Sequence, residues 1–251
     1  MRLPSPRSLL IGGGLVLAAV PFATPVAAQS LNLDLSEGGE MTGQLVRLLA
    51  LLTVLSLAPG ILVVVTSFTR IVVVMSLLRS ALGLQQTPPN TVIVSLSLFL
   101  TAFVMAPTLE KAYDDGIASL IAEDIGEEEA FEKTVAPFRG FMLQQVREKD
   151  LTLFLDMADS PVLESAADTP LRALIPAFMV SELRRAFEIG FLIFVPFIII
   201  DMVVAGVLLS MGMMMLPPVM ISLPFKLIFF VLVDGWYLLA GSLVQSFGSV
   251  L

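Results

Sequence analysis

The chain contains no cysteine and no histidine. The first absence excludes a disulfide framework and thiolate chemistry. The second removes the commonest general base, the commonest metal ligand and any Ser-His-Asp arrangement. Charge is scarce as well: 14% of the 251 residues are charged, where a soluble domain carries about 25%. No G-x-x-x-x-G-K loop, H-E-x-x-H helix or G-x-S-x-G elbow occurs. Together with a net charge of −8, these absences point away from an enzyme, a metal site, a bound cofactor and a nucleic-acid partner. What the chain does have is apolar surface, with 57% hydrophobic residues and a mean hydropathy of +0.93. That is the composition of a membrane protein.

The N-terminus reads as a secretory signal over residues 1–28. Arg2 and Arg7 form a positive region, LLIGGGLVLAAV at 9–20 an apolar core, and Val26-Ala27-Ala28 the small residues of a cleavage site before Gln29. The core is too short for the roughly 20 residues of a span. Cleavage would remove two arginines and no acids, taking the formal charge from −8 to −10. Residues 29–44 then form a short outer segment.

Four hydrophobic segments follow, and the expected fold is an all-α integral membrane protein with those segments kinked or paired in hairpins. The first, 48–65, runs on to about Leu78, with Pro59-Gly60 expected to kink or break it. The second, 91–107, is expected to close at Pro107. The third covers 189–209 and the fourth 227–244. The expected division places a first helix pair in 45–107, an acidic helical region in 108–185 and a second pair in 186–251. Arg70 and Arg79 lie between the first two segments without an acid, which assigns that connection to the cytoplasm. Glu110 to Asp168 holds 15 of the 22 acids and 5 basic residues, which suits a small helical lobe on the periplasmic side. Within it, Phe131, Val135, Phe138, Met142 and Val146 are spaced as a helix face, and Glu127, Glu128 and Glu129 suit its N-terminus. Glu182, Arg184, Arg185 and Glu188 form a charged cluster where the third segment begins, with i,i+3 and i,i+4 pairing expected to offset the arginines.

Two features bear on function. Asp201 and Asp234 fall inside apolar segments, where a carboxylate must face protein or a water-filled path. They could relay ions, form an aspartyl-protease dyad, or satisfy partners across helix interfaces. The Tyr-Asp and Gly-x-Gly-Asp signatures of the protease class are absent, and the structural role is the one expected. The second feature is MGMMMLPPVM at 211–220. Methionine is unbranched and re-packable, and Pro217-Pro218 interrupts the helix. Such a turn can be simple core packing, or a deformable constriction.

FTRIVVVMSLLRSALGLQQTPPN at 68–90, IPAFMVSELRRAFEIGFLIFVPFIIIDMVVAGVLLSMGMMMLPP at 175–218 and LPFKLIFFVLVDGW at 223–236 closely resemble the FliP family of flagellar biosynthesis proteins. The resemblance implies a core subunit of the type III secretion export gate at the flagellar basal body, in the bacterial inner membrane. It implies a homo-oligomer built with FliQ- and FliR-like subunits around a channel for unfolded protein substrates, with FlhA- and FlhB-like export proteins and membrane lipid as further partners. It also implies that Met213, Met214 and Met215, with Met211 adjoining, form a gasket around the closed pore. Injectisome export proteins are similar, and the leader favours the flagellar branch. An ion-coupled small-solute transporter and a purely structural assembly factor are the readings from other classes.

The leader generates the first prediction. Mass analysis of the purified protein should give a mature N-terminus at Gln29, and a reporter fused near Ser119 should behave as periplasmic. Retention of Met1, or a cytoplasmic reporter, refutes the respective half.

Overall fold

The computed structural model describes residues 40–158, 168–213 and 215–248. The expected leader lies outside these residues. Two units divide at Ala50/Leu51. The described part of the first is the opening of α1 (Glu40–Val65), and all later elements belong to the second.

Among the described residues every regular element is helical. α1 is followed by α2 (Phe68–Ala81), α3 (Asn90–Ala112), a π-helical turn over Tyr113–Ala118 and the short α4 (Ser119–Ile121). Then come α5 (Glu127–Gln145), α6 (Glu148–Met157), the long α7 (Leu171–Ser210), α8 (Pro218–Leu232) and α9 (Gly235–Gln245). Two helices are long and apolar enough to cross a membrane: Asn90–Ile121, taken through the π turn, and Leu171–Ser210. The α8–α9 pair makes a third if its 64° bend is counted within one span. The described residues thus carry two or three such helices where the sequence suggested four.

Several prolines do not act where the sequence placed them. Backbone helix runs through Pro59-Gly60, and α3 runs through Pro107 into the π turn. The break after α1 falls instead at Thr66-Ser67, where hydroxyls compete for the backbone. Thr66 Oγ1 donates to Leu62 O at 2.6 Å and Thr69 Oγ1 donates to Val63 O at 3.0 Å. The α8–α9 break sits at the sequence VDG. Asp234 takes the left-handed conformation at φ +51°, which Asp adopts more readily than most residues. Gly235 follows with the Phe230 ring where a Cβ would lie.

The core is centred on α2. Ile71, Val74, Met75 and Leu78 are buried against α7 and α3, with Val104, Met105, Leu174 and Phe178 around them. Gly190 of α7 lets Leu77 approach closely. The segment expected as a cytoplasmic connection is therefore mostly this central helix, and only 82–89 is loop. The acidic helices pack on the first part of α7. Phe141 of α5 meets Phe178 edge-on at 5.9 Å and stacks with Phe247 at 6.2 Å. Phe99 and Phe103 of α3 and Phe191, Leu192, Met202 and Val203 of α7 are exposed, apolar surface that suits lipid or neighbouring subunits.

Candidate functional site

The proline pair sets the geometry of the methionine turn. α7 ends at Ser210, Gly212 adopts φ +73°, and Pro217 and Pro218 start α8 with dihedrals that suit a first turn. Between them Met211, Met213 and Met215 are exposed, Met215 at 98%. Among the described residues they fill no core space. Met214 lies outside the described residues. Beside the turn, α7 and α8 form an open apolar groove of about 540 Å³ lined by residues such as Val203, Val207, Ile221 and Phe225.

Asp201 lies nearby on the same helix, α7, before its end at Ser210. Its Oδ2 is 2.7 Å from Lys226 Nζ, and its Oδ1 accepts from Ser222 Oγ at 2.5 Å. Lys226 also donates to Ala81 O at 3.2 Å, at the C-terminus of α2, where a cation suits the helix dipole. The lysine side chain is 5% exposed and the aspartate 32%. The more buried partner is therefore the cation, and the carboxylate neutralises it. Among the described residues Asp234 has no equivalent setting: it is exposed at the α8–α9 break, in the left-handed conformation and with no side-chain cap hydrogen bond.

The charged cluster divides in two. Arg184 Nε donates to Glu188 Oε1 at 2.8 Å, a local exposed pair. Glu182 does not pair locally. It is fully buried and receives both Nε (2.9 Å) and Nη2 of Arg70, which is also fully buried. Arg70 Nη1 donates to Ser246 O at 3.0 Å and Oγ at 3.1 Å, and Nη2 donates to Gln145 Oε1 at 3.0 Å. The Phe247 ring covers the guanidinium at 3.8 Å. Arg185 shares Gln145 Oε1 at 3.0 Å, and Gln145 Nε2 donates to Phe247 O at 2.8 Å. The cluster therefore lies well inside α7, beginning at its twelfth residue, rather than where a helix starts.

A third polar joint holds α6. Arg147 forks onto Asp150 at 2.8 and 2.7 Å, and Ser181 Oγ donates to Asp150 Oδ2 at 2.7 Å. Burial pushes the Asp150 carboxyl up, but the bonds from Ser181 and Arg147 and the arginine charge outweigh it and hold the group below its usual range. Its stabilising contribution is complete above about pH 3.9 and is lost only as pH falls through the lower folded value.

Arg70, Lys226, Gln145, Ser222, Ser246 and Phe247 are not among the site residues that the sequence pattern singles out. A signal for two of them is present: Arg70 in FTRIVVV and Lys226 in LPFKLIFF are single cations in apolar runs, and each requires a buried acid. Among the described residues no group of three or more acids gathers as a metal site.

Comparison with known proteins bears on this arrangement. The FliP family model matches residues 51–243, which contain the methionine turn and both buried ion pairs. Flagellar biosynthetic protein FliP of Caulobacter vibrioides is 58% identical over 232 residues, covering 92% of this chain and 87% of the relative. The protein of the same name from Bacillus subtilis is 54% identical over 217 residues, covering 86% and 98%. That from Rhizobium meliloti is 50% identical over 239 residues, covering 92% and 97%.

The buried pairs generate two predictions. Arg70→Met leaves Glu182 charged and dry, so it should destabilise the protein by about 3–5 kcal/mol. Adding Glu182→Leu should return part of that loss, read as thermal unfolding in detergent. A single-variant change under about 1 kcal/mol, or simple additivity, contradicts the joint. At the second pair, Asp201→Asn keeps one carbonyl acceptor in place of the two carboxylate oxygens that take Ser222 and Lys226, whereas Asp201→Leu keeps none and strands the lysine. Leucine should be the worse by about 1–3 kcal/mol, and function should fall in step with assembled complex. Full assembly with abolished transport in Asp201→Asn would instead mark an ion relay.

Proposed function

The chain belongs to the FliP family, and from that premise we propose that it is a pore-forming core subunit of the flagellar type III secretion export gate. It is a flagellar biosynthesis protein of the inner membrane, and its partners are other components of the export apparatus. In the proposed gate several copies, with FliQ- and FliR-like subunits, surround a channel that passes unfolded flagellar subunits, next to FlhA- and FlhB-like proteins. The acidic region, 108–185, lies on the periplasmic side, and the leader is removed.

The observation that carries the pore reading is the exposed methionine turn between two apolar helices. A closed secretion pore must hold back ions and water yet pass extended polypeptides of any sequence. Methionines from several copies meeting at one ring meet both demands, because an apolar constriction dewets and thioether chains repack around varied side chains. The ion-coupled alternative draws no support from Asp201, whose two oxygens are already occupied by Lys226 and Ser222. This reading assigns the chain no bond-making chemistry, and the energy for transport comes from other export components.

The test is replacement of Met213, Met214 and Met215 together with alanine. The assembled complex should form in normal amount while the membrane becomes permeable to small ions or solutes. Unchanged permeability with an intact complex would refute the gasket.

A further inference from the structure

We infer that the methionine turn at 211–220 is a reversible oxidation site: a peroxide-class oxidant converts its thioethers to sulfoxides, and the seal they form is thereby opened. The chemical half stands on the structure of the turn, and the opening rests on the gate reading above.

The chain carries its sulfur in one form. It has 13 methionines and no cysteine, so any oxidation of sulfur here is oxidation of a thioether. The reactivity of that group follows its exposure, and exposure divides the methionines. Met75, Met105 and Met142 are buried in the core around α2. Met179 is half-buried, and its Sδ accepts from Thr69 Oγ1 at 3.7 Å. Met211, Met213, Met215 and Met220 are exposed together, across the turn and the first residues of α8. Two other exposed methionines stand singly, Met157 at the end of α6 and Met202 on α7.

The backbone keeps the grouped sulfurs outside the core. The amides of Met211 and Met213 donate to Val207 O and Leu208 O, closing the end of α7. Gly212, at φ +73°, then turns the chain away from the helix, and the proline pair starts α8 afresh. In the proposed ring these side chains line the channel itself. They therefore lie on the path of a small uncharged oxidant such as hydrogen peroxide.

The step balances without a bound cofactor. A lone pair of the thioether sulfur attacks one peroxide oxygen. The O–O bond breaks and an S–O bond forms. The departing hydroxide takes the proton left on the transferred oxygen and leaves as water. Sulfur is oxidised and the peroxide is reduced by the same electron pair. The product is polar where the thioether was apolar. A constriction that excludes water because its lining is apolar gains a hydrogen-bond acceptor on every oxidised side chain, so water and ions enter. Sulfoxide reductases return the thioether, which makes the change reversible.

The test uses inner-membrane vesicles holding the assembled complex, with vesicles lacking this chain as the blank and hydrogen peroxide as the oxidant. Peptide mass analysis should find one added oxygen on Met211, Met213, Met215 and Met220, and on Met157, about tenfold faster than on Met75, Met105 or Met142. Release of a trapped small solute should rise as the turn is oxidised. It should fall back after treatment with methionine sulfoxide reductases A and B and dithiothreitol. Met157→Leu should leave the peroxide-dependent rise unchanged. Replacement of Met211, Met213, Met214, Met215 and Met220 together with leucine should abolish that rise, read as the ratio to the same vesicles without peroxide. Reversal by the reductases on the unaltered chain keeps the test decisive should the leucine variant assemble poorly. A turn oxidised no faster than the core methionines, a rise that persists in the leucine variant, or one that the reductases leave in place would each overturn the inference. The alanine variant of Met213, Met214 and Met215 separates the two readings. A leak from it without one from the oxidised turn removes the oxidation switch and leaves the gate, whereas no leak from either removes both.

Discussion

The guanidinium of Arg70 is the constraint around which the second unit is arranged. A fully buried arginine has five N–H donors and a charge, and leaving them unmet costs several kcal/mol. Three parts of the chain are brought together to meet them: Glu182 from α7, Gln145 from the end of α5, and the segment just past α9, which supplies the Ser246 carbonyl and hydroxyl and the Phe247 ring above the plane. Lysine could not substitute, because one ammonium cannot present a planar fork to a carboxylate while reaching a carbonyl on another side. In a chain whose exterior is as apolar as its core, hydrophobic contact says little about which face turns inward. The polar joint supplies that direction. It fixes the rotation of α2 and α7 about their axes, and the aliphatic row of Ile71, Val74, Met75 and Leu78 follows.

The second buried cation plays the corresponding part at the other end of α2. Lys226 ties the last carbonyl of α2, that of Ala81, to Asp201 on α7 from its own position on α8. Three helices are thereby held at a single nitrogen, a short distance in sequence from the methionine turn. The turn itself has no such tie. Gly212 and the proline pair fix where the chain reverses, but Met211, Met213 and Met215 remain outside any core. A rigid hairpin base with an unanchored apolar tip is the local arrangement a repackable seal needs.

How much of this is legible in the sequence depends on the range of each interaction. The helices, the Met-Pro turn and the acidic helix beginning at Glu127 rest on local periodicity and dihedral chemistry, and all can be read directly. The break at Thr66-Ser67 escapes such a reading. Proline and glycine are the strongest breakers in water, whereas a helix in an apolar environment can continue past one missing N–H. Local pairing logic succeeds for Arg184 with Glu188, four residues apart and exposed. It fails for Glu182, whose partner lies 112 residues away. Burial rather than spacing decides there, and burial is a tertiary property. The same limit applies in α5: Phe131 fits the apolar periodicity but is exposed, while Phe141 and Gln145 are buried because Phe178 and Arg70 lie against them.

Helix length has a mechanical consequence. The acidic region is bounded by two helices that do not stop at its edges. The α3–α4 rod carries residues 90–121 outward, and α7 returns as one helix of 40 residues, roughly 60 Å long. α5 and α6 pack on the first part of α7 through Phe141–Phe178 and the Arg147–Asp150–Ser181 joint, while its far end leads into the methionine turn. The acidic lobe and the turn are therefore joined by one continuous helix, not two domains on a linker. A displacement of the lobe cannot be absorbed in a loop before it reaches the hairpin. It must be taken up by bending α7, where Pro196 already lacks one backbone bond, or by moving the base held at Lys226. Since that base joins three helices, the softer route is the helix at Pro196. A displacement of the lobe is thus taken up at Pro196, between the lobe contacts at Phe178 and Ser181 and the base held at Lys226.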